Sequence, residues 1–76
     1  MVTAYVMVKA NTGEADRLKT AIEEIDGVGE AHIVAGDVDI IAKLDVDSPG
    51  RVKEISANAI QGISGVEDTR TYIAMD

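Results

Sequence analysis

Seventy-six residues with 7 Lys+Arg, 14 Asp+Glu, one proline and no cysteine describe one small domain and leave no room for a second. Hydrophobic residues make up 46% of the chain and charged ones 28%. That is too apolar for a disordered tail, yet a domain this short buries only about 60% of its unfolded-chain surface and would gain from a partner subunit. The formal charge of −7 is spread over both halves, and two tyrosines with no Phe or Trp offer few stacking platforms, so composition argues against direct nucleic-acid binding.

Residues Val2, Ala4, Val6, Val8 and Ala10 alternate with Thr3, Tyr5, Met7 and Lys9, the period of two expected of a strand. Asn11, Thr12 and Gly13 supply turn and cap chemistry, with Asn11 three residues ahead of Glu14 as in a capping pattern. Ala15, Leu18, Ile22 and Ile25 then recur at helical spacing, predicting a helix from about Glu14 to Ile25. Asp26-Gly27 ends it. A strand from Val28 to Ala35, the two-residue turn Gly36-Asp37 and a strand from Val38 to Val46 read as a hairpin. Ser48-Pro49 is a helix start, with a capping hydroxyl followed by a proline whose missing N–H costs nothing at the first position. Val52, Ile55 and Ala59 mark the buried stripe of this second helix, Gly62 and Gly65 close it, and Val66 to Met75 forms the last strand.

The order is β-α-β-β-α-β, and its halves echo each other. Ile25, Gly27, Val28 and Glu30 correspond to Ile63, Gly65, Val66 and Asp68, so the phrase I-x-G-V-x-[DE] stands twice where a helix turns back into a strand. Two such βαβ halves with right-handed crossovers interleave into a four-stranded antiparallel sheet with both helices on one face, a ferredoxin-like α+β sandwich. The other face is left open. Tyr5 and Met7 of the first strand and Ile41 of the third point to it, with Tyr72 or Ile73 of the last depending on register. Apolar side chains there mark an association surface, and face-to-face homodimerisation is the economical way to cover it.

Gly36-Asp37-Val38-Asp39 is the sharpest local feature. A glycine turn beside two carboxylates can be no more than a hairpin, or it can offer N–H groups to a ligand carboxylate and an aspartate to its ammonium, as an α-amino acid demands. Asp39, on the strand and directed to the open face, is the better candidate of the two aspartates, and Asp37 at the tip reads as solvated. In Glu67 to Tyr72, Thr69 and Thr71 share one face and Arg70 and Tyr72 the other. The threonine hydroxyls suit orientation of a polar group, although threonine also favours strands for packing reasons alone. His32 is the lone imidazole, with no Ser, Cys or second His nearby in sequence to form a nucleophile pair or metal cage. Glu23-Glu24 and Asp45-Asp47 lack the spacing of a calcium loop and read as solvated face. Gly27-x-Gly29 lacks the rest of a dinucleotide fingerprint.

With no cysteine, a disulfide framework, a Cys-ligated metal and thiol redox chemistry are excluded. No cofactor motif is present. The opening MVTAYVMVKA has no basic n-region, and no apolar run approaches the roughly 18 residues of a membrane span, so the chain reads as cytoplasmic. Eight Asp and six Glu against four Lys fit adaptation to concentrated salt as well as they fit ordinary solubility.

The segments GVGEAHIVAGDVDIIAKLDV, with Gly36 and Asp39 in a G-x-x-D arrangement, SPGRVKEI and GISGVEDTRTYIAMD together resemble the effector-binding (RAM) domain of the Lrp/AsnC transcription regulators over essentially the whole chain. G-x-x-D alone carries little weight. It gains weight from falling in order between the G-V before the second strand and the G-V-x-x-T-x-T leading into the last.

The resemblance implies a ferredoxin-like fold, dimers joined through their sheets, rings of dimers such as octamers, and an amino-acid effector held between dimers near the hairpin. It implies effector contacts for Gly36, Asp37, Val38 and Asp39 and for Thr69 and Thr71. Members of that family usually carry an N-terminal helix-turn-helix domain, whereas here Val2 already begins a strand. The expectation is a stand-alone sensing module that assembles with itself or with full-length regulators. An assembly-only partner without effector binding is the alternative, and a small ferredoxin-like enzyme using His32 is a remote one.

Overall fold

A computed structural model describes residues 1–11 and 13–76. Strand β1 (Val2–Ala10) is followed by helix α1 (Ala15–Glu23), strands β2 (Val28–Ile33) and β3 (Ile40–Val46), helix α2 (Pro49–Lys53), a π-helical segment Glu54–Ile60 and strand β4 (Val66–Ile73). The strands form one antiparallel sheet in the order β2-β3-β1-β4, the ferredoxin-like arrangement that the repeated halves predict. Its helix-facing side carries Ala4, Val6 and Val8 of β1 and Ile40, Ala42 and Leu44 of β3, all fully buried. Leu18 and Ile22 of α1 and Val52, Ile55 and Ile60 from the second helical stretch close the core over them.

The internal repeat is a repeat of backbone geometry. In both copies the valine N–H donates to the isoleucine carbonyl three residues earlier, Val28 to Ile25 and Val66 to Ile63, each at 3.1 Å. The intervening glycines have φ of 102° at Gly27 and 103° at Gly65, the left-handed value a type II turn requires at its third residue. A bulge follows each turn. The register passes from Val28 opposite Leu44 to Glu30 opposite Lys43, and from Val66 opposite Ala10 to Asp68 opposite Lys9. Gly29 and Glu67 are the extra residues. Each bulge reverses the alternation, so a valine packs on the core while the acid two residues later faces away from the helices, opposite a lysine.

Four expectations change. First, β2 and β3 are not joined by a two-residue turn at Gly36-Asp37. The hairpin closes with the Val34 N–H on the Asp39 carbonyl (2.9 Å), leaving Ala35 to Val38 as the connection. The Asp39 N–H reaches across to the Val8 carbonyl of β1 (3.0 Å), and Gly36 has φ 159°, far from the roughly +60° of a type II′ turn.

Second, α1 has Glu14 as its N-cap with no side-chain cap. Asn11 contributes its carbonyl, which accepts from the Glu14 N–H at 3.2 Å, and Thr12 lies outside the described residues. The helix stops at Glu23 because Ile25 enters the type II turn. Third, the second helix starts as its sequence predicts, with the Arg51 N–H donating to Ser48 Oγ (3.4 Å) and Pro49 at the first position. It then widens into i→i+5 bonding, shown by the Gln61 N–H on the Ser56 carbonyl (3.3 Å). That turn brings Ile60, five residues after Ile55, into the core, while Ala59 is only half-buried. Fourth, β4 ends at Ile73, one further bond joins the Ala74 N–H to the Thr3 carbonyl (2.9 Å), and Met75 is exposed.

Candidate functional site

The register settles the open face. Tyr5 lies opposite Lys43 on one side and Tyr72 on the other, and Met7 opposite Ile41 and Arg70. Ile73 pairs with the buried Ala4 and belongs to the helix side, so Tyr72 is the last strand's aromatic contribution. Tyr5 (37% exposed) and Tyr72 (53%) flank the half-buried Met7 and Ile41. Cross-strand pairs of Glu30 with Lys43 and of Asp68 with Lys9 surround this apolar centre. His32, opposite Ile41, is exposed with Nε2 3.6 Å from the Glu30 carboxylate.

Where the open face meets the β2–β3 connection there is a depression of about 290 Å³. Met7, Lys9, Asp37, Val38, Asp68, Thr69, Arg70 and Tyr72 line it. Of the residues the sequence singles out, Asp37, Val38 and Thr69 therefore come together here, brought from positions about thirty residues apart by β1 lying between β3 and β4. Gly36, Asp39 and Thr71 are outside the lining.

Asp39 has a different occupation from the one its position suggests. Its Oδ2 accepts from the Ala10 N–H at 2.8 Å, at the end of β1 where pairing with β4 shifts register. A half-buried backbone donor left over by that shift needs an acceptor, and with its N–H and carbonyl also bonded, Asp39 ties β2, β3 and β1 together. Asp37, exposed and in no side-chain hydrogen bond among the described residues, is the hairpin carboxylate that lines the depression. Thr69 and Thr71 lie opposite Val8 and Val6, hence on the helix side of the sheet. The Thr69 hydroxyl donates to Gln61 Oε1 (2.7 Å) and its N–H to Asp68 Oδ1 (2.9 Å).

Lys9, Asp68 and Arg70 are lining residues that sequence reasoning missed. Alternation assigns each to a face, but only the β1–β4 register brings them together. A second depression, about 340 Å³, is lined by Asp26, Asp45, Asp47, Glu54 and Arg51 among others. Arg51 Nη2 donates to the Asp26 carbonyl (3.2 Å), and Asp45 Oδ1 accepts from the Thr3 hydroxyl (2.9 Å). Among the described residues no group of three His, Cys, Asp or Glu side chains is arranged to hold a metal, and no helix is long and apolar enough to cross a membrane.

Residues 3–76 match the profile of the Lrp/AsnC ligand binding domain. The chain is 29% identical over 75 residues to the leucine-responsive regulatory protein of Escherichia coli K12, covering 95% of this chain and 46% of that protein. It thus spans about half the length of the curated relatives it matches. TTHA0845 of Thermus thermophilus superposes with a TM-score of 0.95 at 28% identity, over 100% of this chain and 95% of that one. The regulator NMB0573 of Neisseria meningitidis, solved as its L-Met complex, superposes with a TM-score of 0.84 over 99% of this chain and 50% of that one. At 12% identity this last likeness concerns the fold alone.

Proposed function

We propose, from the premise that this chain belongs to the family of Lrp/AsnC ligand-binding domains, that it binds a small amino-acid effector beside the β2–β3 connection and acts by assembly rather than by catalysis. Asp37 and Val38 of the β2–β3 connection lining one depression with the Asp68–Arg70 segment of β4 is the observation that carries this reading. Asp37 offers a carboxylate to an ammonium group, and the depression is open enough to admit a single amino acid. The name of one relative, the leucine-responsive regulatory protein, points the same way. Among the described residues His32, exposed and beside Glu30, forms no nucleophile–base constellation, and the proposed reading is non-enzymatic. Homologous transcription regulators suggest a cytoplasmic setting.

Assembly follows from the open face. Tyr5, Met7, Ile41 and Tyr72 form the surface through which two copies pair, and dimers gather into a ring such as an octamer or mix with full-length regulators of the family. Met7 and Tyr72 belong both to this surface and to the depression, so a bound effector would change what a second copy meets. Thermal denaturation with each of the twenty amino acids tests the reading, since a ligand at 100 times its Kd adds about 2.7 kcal/mol. Light scattering with and without the stabilising ligand reports assembly. Stabilisation by a subset, with a ligand-dependent particle mass, is expected. No shift with any amino acid would leave an assembly partner that has lost effector binding, and a monomer at micromolar concentration under all conditions would remove the assembly as well.

A further inference from the structure

Resting on the assembly reading above, we infer that ionic strength regulates how far this chain assembles: two copies pair through the open face at any salt, and dimers join into larger particles only where salt screens the rest of the surface. The fold divides the net charge of −7 unevenly. Strand register and alternation place Lys9, Lys43 and Arg70 with Glu30, Asp39, Asp45 and Asp68 on the open face, three cations against four acids and a net −1. The other surfaces together carry the remaining four cations against ten acids, a net −6.

Within the open face each acid has a partner. Glu30 lies opposite Lys43 and Asp68 opposite Lys9. Asp39 accepts from the Ala10 N–H (2.8 Å) and Asp45 from the Thr3 hydroxyl (2.9 Å). The apolar centre around Met7 and Ile41 thus has a rim close to neutral, and a second copy meets little repulsion there at any salt concentration.

Elsewhere the balance is different. Arg17, Lys19 and Arg51 are engaged with Glu14, Glu23 and Asp26. Among the described residues the other seven acids, from Asp16 on α1 through Asp37 and Glu54 to Asp76, are exposed and in no ion pair, and Lys53 is the one cation outside the open face in none. With no cationic patch to oppose them, a contact between dimers outside the open faces sets acid against acid. At about 0.01 M salt the Debye length is about 30 Å, comparable to the 34 Å long axis of the domain, so all the acids of one dimer repel those of the next. At about 1 M it is about 3 Å, and short-range packing decides whether dimers join.

Sedimentation velocity of the full chain from about 0.01 to about 1 M sodium chloride tests the inference, with circular dichroism marking the range over which the fold is native. The wild-type protein should sediment as a dimer at low salt and as a larger particle at high salt. Glu24→Gln, Glu54→Gln and Glu67→Gln combined halve the outer charge and should move the transition to lower salt, whereas Lys53→Glu should move it to higher salt. All four side chains are exposed, and Lys53→Glu keeps the test decisive should the triple variant fold poorly. A transition that neither variant moves would overturn the inference, since salt would then act by dehydration rather than by screening. A dimer at every salt, or a full-sized particle at the lowest, would overturn it while leaving pairing through the open face intact. A monomer throughout would overturn both.

Discussion

The duplicated turn provides its own control for the most demanding prediction, Gly27→Ala against Gly65→Ala. Both glycines have nearly the same positive φ, 102° and 103°, so the backbone strain of adding a Cβ, about 1–2 kcal/mol, is common to the pair. The surroundings differ. A Cβ at Gly27 would stand 2.6 Å from Ile55 Cδ1 and 3.1 Å from Val46 Cγ1. Ile55 and Val46 are core residues held by their neighbours, and overpacking of this kind adds about 1–3 kcal/mol.

At Gly65 the near atom is Arg17 Nη2, 2.7 Å away, the end of an exposed, flexible side chain that can swing aside for the loss of its bond to the Ser64 carbonyl (2.7 Å). Gly65→Ala should therefore cost about 1–2 kcal/mol and Gly27→Ala about 2–4 kcal/mol. Urea denaturation followed by far-ultraviolet circular dichroism gives both values. The difference corresponds to a melting-temperature gap on the order of 5–10 °C for a domain this small. Ile55→Val, which removes the clashing Cδ1, should recover part of the loss in the Gly27→Ala background and none in the Gly65→Ala background. Equal destabilisation of the two glycine variants, or no recovery, would refute the packing argument.

Other outcomes follow from single contacts. Asp39→Ala leaves the half-buried Ala10 N–H without its acceptor and should cost about 1–3 kcal/mol, while Asp39→Asn, which keeps an oxygen, should cost less; identical losses in denaturant titrations would argue against the bond. Ser48→Ala removes the side-chain cap of the second helix and, through a long 3.4 Å contact, should cost about 0.5–1 kcal/mol by thermal melting. Ile41→Lys places a charge at the apolar centre of the open face, opposite Met7 and His32. It should abolish self-association in light scattering while the circular dichroism spectrum is unchanged, and an unaltered particle mass would remove this face from the assembly.

Much of this architecture is legible in the chain itself because it is local. Alternation along Val2 to Ala10 sorts each side chain to a face, Ser48-Pro49 starts a helix, and I-x-G-V-x-[DE] written twice forces two identical turns, since only glycine accepts the φ near 102° that each requires. What the sequence leaves open is decided by partners distant along the chain. Tyr72 rather than Ile73 joins the open face through the β1–β4 register. Ile60 rather than Ala59 enters the core because the helix widens to meet the sheet. Asp39 is drawn off to the Ala10 N–H by a bulge on another strand, which leaves Asp37 as the hairpin carboxylate that lines the depression. A pattern of period two or 3.6 says which way a residue points, but only the pairing of strands says what it points at.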